Sequence, residues 1–174
     1  MANIGIIGAG SWGIALSILL YNNGNKVTVW SVIEDEIKML NEKREHERCL
    51  PGVKLPDDMV FTTDLEHTIK NAELLVLAVP SVYTRSTSKS MSGYVREGQI
   101  IVNVAKGIEE NTLKTLTQII EEEIPCADVA ALSGPSHAEE VSRSIPTTCV
   151  VAAHSRETAE YIQNIFMSEK FRVY

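Results

Sequence analysis

An apolar run, Ile4-Gly5-Ile6-Ile7, stops at Gly8. Six residues, Gly-Ala-Gly-Ser-Trp-Gly at 8–13, then lead into the helix-like stretch Ile14–Leu20. Strand, glycine turn and helix in that order restrict the start of the chain to a βα unit whose turn can cradle a phosphate. Gly8 allows the tight turn out of the strand. Gly10 lets a pyrophosphate approach the backbone, and Gly13 lets the helix pack close to the strand. The helix start offers unpaired N–H groups and the positive end of its dipole to an anion. A glycine-rich turn without a ligand is the competing reading, and the flanking strand and helix weigh against it.

The same alternation continues to the end of the chain. Strands are expected at Asn3–Ile7, Lys26–Trp30, Met59–Thr62, Leu74–Val79, Gln99–Val104, Val129–Leu132, Thr147–Ala152 and Phe171–Tyr174. Helices are expected near Ser11–Asn23, Glu34–Glu45, Leu65–Asn71, Val82–Val95, Leu113–Glu123, Ala138–Ser142 and Arg156–Met167. Leu74–Val79 and Ile100–Val102 are continuous apolar runs, as strands covered on both faces require. The pattern predicts one α/β domain, doubly wound around a mainly parallel sheet of Rossmann type. Gly24 suits a left-handed cap after the first helix. Thr63 with Glu66, and Ser136 with Glu139, match the capping-box spacing. A long connection from His46 to Asp58 carries Pro51 and Pro56, which rule out a continuous helix there, and reads as a surface excursion.

Composition narrows the function. The net charge of −7 and the absence of Lys/Arg clusters exclude a nucleic-acid or anionic-membrane surface. No apolar run approaches the ~20 residues of a membrane span, and no basic region precedes the first apolar run as in a signal peptide. Three well-separated cysteines, Cys49, Cys126 and Cys149, form neither a disulfide pattern nor a metal spacing and fit a reducing cytoplasm. The four histidines show no metal spacing either.

Ligands of open α/β sheets bind beyond the carboxyl ends of the strands. The second strand ends at Trp30, with Glu34 and Asp35 a few residues late for a ribose contact and equally suited to a helix start. That acidity, without an adjacent Arg, leans to NAD over NADP. After the fourth strand, Pro80 stops the run. Tyr83 lies either against a nicotinamide or ribose, or in ordinary packing. After the fifth, Lys106-Gly107 can place an ammonium in the cleft, to hold a substrate anion or polarise a carbonyl. After the sixth, Gly134-Pro135-Ser136 leads into another helix start, so two helix N-termini and one lysine converge on one edge. His137, inside that first turn, reads as structural or peripheral.

Together these segments resemble the N-terminal domain of the NAD(P)-dependent glycerol-3-phosphate dehydrogenase family. The carriers are the glycine loop with its Ser-Trp filling, Val-Thr-Val-Trp at 27–30, Leu-Pro-Gly-Val-Lys-Leu-Pro at 50–56, Ala-Lys-Gly-Ile-Glu at 105–109 and Ser-Gly-Pro-Ser-His-Ala at 133–138. The resemblance covers essentially the whole chain. It implies hydride transfer between sn-glycerol 3-phosphate and dihydroxyacetone phosphate, feeding glycerophospholipid synthesis, with NAD or NADP as cofactor. Gly8, Ala9, Gly10, Ser11, Trp12 and Gly13 would bind the dinucleotide, Val32 would lie on its adenine side, Tyr83 on its nicotinamide side, and Ala138 would add a contact. Lys106 would touch both cofactor and substrate, and Gly134 and Ser136 would line the substrate site. The family continues past the position of Tyr174 into a helical domain carrying its proton-transfer lysine. No catalytic proton donor is therefore expected in these residues, and the chain is expected to be a fragment that binds dinucleotide with little or no turnover. A homodimer of the intact enzyme stays open. Two alternatives remain: a stand-alone NAD-sensing module, and another hydroxyacid or keto-acid reductase.

Overall fold

β1 (Asn3–Ile7), the glycine turn and α1 (Ser11–Asn22) form the first βα unit, and β2 (Lys26–Trp30) returns parallel to β1, in a computed structural model that describes residues 1–174. Then follow α2 (Glu34–Lys43), β3 (Glu45–His46), β4 (Leu50–Lys54), β5 (Val60–Thr62), α3 (Leu65–Asn71) and β6 (Leu74–Leu77). A short 3-10 turn at Ser81–Tyr83 precedes α4 (Thr84–Met91). The chain continues through β7 (Ile100–Asn103), α5 (Leu116–Glu123), β8 (Asp128–Ser133), α6 (Ala138–Ser142), β9 (Thr147–Ala153), α7 (Arg156–Phe166) and β10 (Phe171–Val173).

The eight-stranded sheet runs β10-β9-β8-β7-β6-β1-β2-β5. From β5 to β8 every pairing is parallel, and their order is the 3-2-1-4-5-6 of a dinucleotide-binding sheet. β9 joins β8 antiparallel, and β10 pairs parallel with β9. The expected doubly wound, mainly parallel sheet is therefore the observed one.

Alternation along the central strands splits the core in two. Leu74 and Val76 of β6 and Val102 of β7 join Ile4 and Ile6 in one cluster with Leu16 and Leu20 of α1, Leu40 of α2 and Phe166 of α7. Leu75, Leu77 and Ile101 point the other way, to Ile69 of α3, Met91 of α4 and Ile120 of α5. Successive strand side chains face opposite sides, so a sheet with helices on both faces must be apolar at every position.

Several local expectations need correction. The 46–58 connection is not featureless: β3 and β4 form a small antiparallel pair there, and Leu50 is buried in the core. Asp64, not Thr63, caps α3, its side chain accepting from the His67 N–H. Ser136 does not cap α6 either. His137 occupies the cap position without a side-chain bond. The complete capping box lies at Thr115 and Gln118 at the head of α5, which starts at Leu116, and Leu113 ahead of it is left-handed. Gly24 is left-handed (φ +84°), as expected of a helix terminator.

Candidate functional site

In the sheet order the connections diverge between β1 and β6, so a crevice opens above their carboxyl ends. A cleft of about 420 Å³ lies there. Gly10, Ser11 and Trp12 from the first turn form one wall, Ala78–Ser81 after β6 a second, and Val104–Lys106 with Ser136–Glu139 a third. The ends of four strands, β1, β6, β7 and β8, thus meet at one edge, and the two helix starts and the lysine expected to converge are among them.

The three loop glycines have different physical causes. Gly8 has φ +115°, and a Cβ there would lie 2.9 Å from the Ala78 carbonyl carbon. At Gly13 a Cβ would lie 2.0 Å from the Gly8 carbonyl oxygen. Both are glycine because the βα unit cannot close otherwise. Gly10 has ordinary extended geometry (φ −64°, ψ 176°), and a Cβ there would meet nothing within 4 Å. The protein itself makes no steric demand for glycine at 10, and the space beside its backbone is open. No side chain caps α1, nor α2, α4 or α6, whereas α3, α5 and α7 are capped by Asp64, Thr115 and Ser155. The leading N–H groups of α1 are thus free for an anion beside Gly10. These features fit a dinucleotide pyrophosphate.

Trp12 spans the cleft floor, its indole Nε1 donating to the Val104 carbonyl at 3.1 Å. The Lys106 ammonium lies 5.6 Å from the Trp12 ring centroid and 3.4 Å from Ser136 Oγ. No carboxylate lies within 4 Å of this ammonium, so it is not held in an ion pair and is available to an anion. Ser136 Oγ donates in turn to the Gly134 carbonyl at 3.3 Å. Under these groups the Cys149 thiol is buried. Desolvation pushes its pKa up, against smaller opposite pulls from Ser136 and Lys106, so it stays protonated. At the end of β7, Asn103 is buried with Nδ2 donating to the Ala105 carbonyl and Oδ1 without a partner.

Of the residues singled out from sequence, Gly10, Ser11, Trp12, Lys106, Ser136 and Ala138 line the cleft together. Gly8, Ala9 and Gly13 shape the turn beneath it. Gly134 lies outside the wall, where a Cβ would meet the Thr148 carbonyl oxygen at 2.5 Å, so packing against β9 already requires glycine there. Val32 and Tyr83 are exposed and not part of the wall. His137, read as peripheral, is in the wall. Ala78 to Ser81 were not anticipated as lining. The signal was available, because β6 must neighbour β1 in this sheet order.

Beyond β2 the acid fixed by side-chain hydrogen bonds is Glu36. Glu34, Asp35 and Glu36 all occupy the first turn of α2. Ser31, directly after the strand, donates its hydroxyl to Glu36, and buried His46 holds the other carboxylate oxygen at 2.9 Å. Burial pushes the Glu36 pKa up, but the His46 and Ser31 hydrogen bonds outweigh it and hold the group below its ordinary value.

Residues 3–159 match the family model for the NAD-dependent glycerol-3-phosphate dehydrogenase N-terminus. The chain belongs to this family. It is 64% identical over 174 residues to glycerol-3-phosphate dehydrogenase, NAD(P)+, of Agathobacter rectalis, covering all of this chain and 52% of the relative. With the Fusobacterium nucleatum enzyme of the same name it shares 53% identity over 176 residues, again covering all of this chain and 52% of the relative. The crystal structure of glycerol-3-phosphate dehydrogenase from Coxiella burnetii superposes with a TM-score of 0.94 at 27% identity, over 99% of this chain and 53% of that one. The chain therefore spans about half the length of the curated relatives it matches. No helix is long and apolar enough to cross a membrane, and no three His, Cys, Asp or Glu side chains are grouped to hold a metal ion.

Proposed function

We propose that these residues form the cofactor-binding half of a cytoplasmic dehydrogenase interconverting sn-glycerol 3-phosphate and dihydroxyacetone phosphate, a step that supplies glycerophospholipid synthesis. The observation that carries the reading is the empty space at Gly10 beside the uncapped start of α1, with Lys106 across the cleft. When bound, the dinucleotide accepts or supplies the hydride. This chain's residues bind and orient: the Gly10–Gly13 backbone takes the pyrophosphate, Trp12 fixes the floor, and Lys106 with Ser136 holds the substrate. As the alcohol carbon gives up its hydride, its hydroxyl must lose a proton.

Val32 and Tyr83 are proposed to flank the adenine and nicotinamide ends, where their exposure leaves them free to contact a ligand. The cofactor is proposed to be NAD rather than NADP. An ionised Glu36 tied to Ser31 at the end of β2 repels a 2′-phosphate, and Val32 offers no compensating charge. Side-by-side calorimetric titration with NADH and NADPH tests both statements. NADH is expected to bind at least about tenfold more tightly, ~1.4 kcal/mol. No binding of either removes the cofactor reading, while equal or reversed affinities remove only the Ser31–Glu36 argument.

A further inference from the structure

Lys106 sits on the segment 105–115, which meets the rest of the domain at its two ends: Ala105 accepts from Asn103 and Gly107 packs on Ser81, while Thr115 caps α5. Gly107 is in the left-handed half of conformational space (φ +136°), and Ile108 and Leu113 are exposed. Inside the segment, Ile108 bridges Thr115, and the Glu109 N–H donates to the Lys114 carbonyl. These contacts shape the loop without fastening it.

The fastening comes from α4. Arg85 donates Nε and Nη2 to the two carboxylate oxygens of Glu109, at 2.6 and 2.7 Å, a bidentate pair. The same guanidinium reaches Glu123 at 2.7 Å and Glu122 at 3.0 Å on α5, and Lys114 pairs with Glu122. One cation therefore ties together two helices and the loop, three residues from Lys106. A network of this kind, with a planar fork at its centre, holds a geometry far better than an isolated surface pair.

We propose that Arg85 and Glu109 are positioning residues for Lys106: they fix the loop so that its ammonium stays above Trp12 at the cleft wall. This rests on the reading of the cleft as a dinucleotide site with Lys106 as a ligand contact. A four-carbon lysine stem on an unanchored loop would have to be ordered at each binding event, and the clasp removes that cost in advance. Neither residue lines the cleft, so any effect on a ligand must pass through the loop.

The test is a double-mutant cycle on NADH affinity, measured on the chain with Arg85→Ala, Lys106→Met and the pair. Thermal melting of each variant shows whether it folds. If Arg85 acts through Lys106, Arg85→Ala weakens NADH about fivefold or more in the presence of Lys106, and less than about twofold once Lys106 is gone. Glu109→Gln should reproduce the loss without removing the guanidinium. It serves as the second variant if Arg85→Ala does not fold. Losses that simply add, or an unchanged affinity in both clasp variants, overturn the proposal. A parent chain that binds no NADH overturns the cofactor reading beneath it, and the clasp with it.

Discussion

At the amino edge of the sheet side chains close the polar backbone, whereas at the carboxyl edge several such groups stay open. Gln99, at the start of β7, donates to the Ile69 and Ala72 carbonyls at the end of α3 and accepts from the Arg96 N–H. Arg96 donates to the Lys70 and Ala72 carbonyls. Asn25 accepts from the Ala2 N–H and donates to the Leu20 carbonyl near the end of α1. Across the sheet, α1 begins without a side-chain cap, Gly10 faces empty space, Asn103 Oδ1 has no partner and Lys106 faces an indole and a hydroxyl. Both edges are made of the same strands and helices. The difference is that the amino edge is finished by side chains at these points, whereas the carboxyl edge, capped at α3 and α5 by Asp64 and Thr115, stays open around Gly10, Asn103 and Lys106.

The largest effect should come where the open edge is itself structural. Gly13→Ala puts a methyl group 2.0 Å from the Gly8 carbonyl, so α1 must move off β1. We expect a loss of about 3 kcal/mol or more in a urea titration, with binding lost as a consequence. A loss under about 1 kcal/mol would mean that the close helix–strand contact is not a constraint. Gly10→Val tests the opposite claim three residues away. Its side chain enters empty space, so stability should change by about 1 kcal/mol at most, the cost of a poor cap residue. NADH affinity should nevertheless fall by about 100-fold, ~2.7 kcal/mol, because the side chain takes the pyrophosphate's place. Unchanged affinity by calorimetry would remove the ligand from this turn.

This contrast also explains what could be read from sequence. The strands, helices and sheet class were legible because a doubly covered sheet forces continuous apolar runs such as Leu74–Leu77, and glycines punctuate it. Gly10, Lys106 and Ser136 are legible because strand ends in this topology must converge, whereas Ser11, Trp12 and Ala138 follow from the family resemblance. Partners chosen in three dimensions were not. Ser136 has the spacing of a cap, yet bonds the Gly134 carbonyl and faces Lys106. Nothing in the sequence sets Glu36 apart from Glu34 and Asp35; its partner His46 meets it only in the fold. Gly134 resembles a ligand glycine in sequence, while its reason lies in the backbone of β9, a strand that follows it in the chain.

At the finished edge, Gln99→Ala should show the reverse of Gly10→Val. It leaves the Arg96 N–H without its partner in a site where Gln99 is 4% exposed. Stability should fall by about 2 kcal/mol in denaturant unfolding, the usual cost of buried groups left unmatched. NADH affinity measured below the transition should stay within about twofold, ~0.4 kcal/mol. A binding loss as large as that of Gly10→Val would show that the edges are coupled and that the division drawn between them is wrong.

The smallest effect concerns the clasp at the rim of the open edge, where charge rather than packing does the fastening. Glu109 is held at about 2 by the Arg85 guanidinium first and the Thr112 hydroxyl next, against an ordinary value of 4.5. A carboxyl lowered on folding adds stability that is present above its unfolded value and is lost as the pH falls through its folded one. The contribution of Glu109 should therefore begin to weaken below pH 4.5 and be gone near pH 2. A carboxyl NMR titration, with the resonance assigned from Glu109→Gln, should show Glu109 still ionised at about pH 3.5, where free carboxyls are mostly protonated. A midpoint near 4.5 would mean that Arg85 does not hold the loop in solution. Lys106 would then belong with the mobile surface and not with the wall of the cleft.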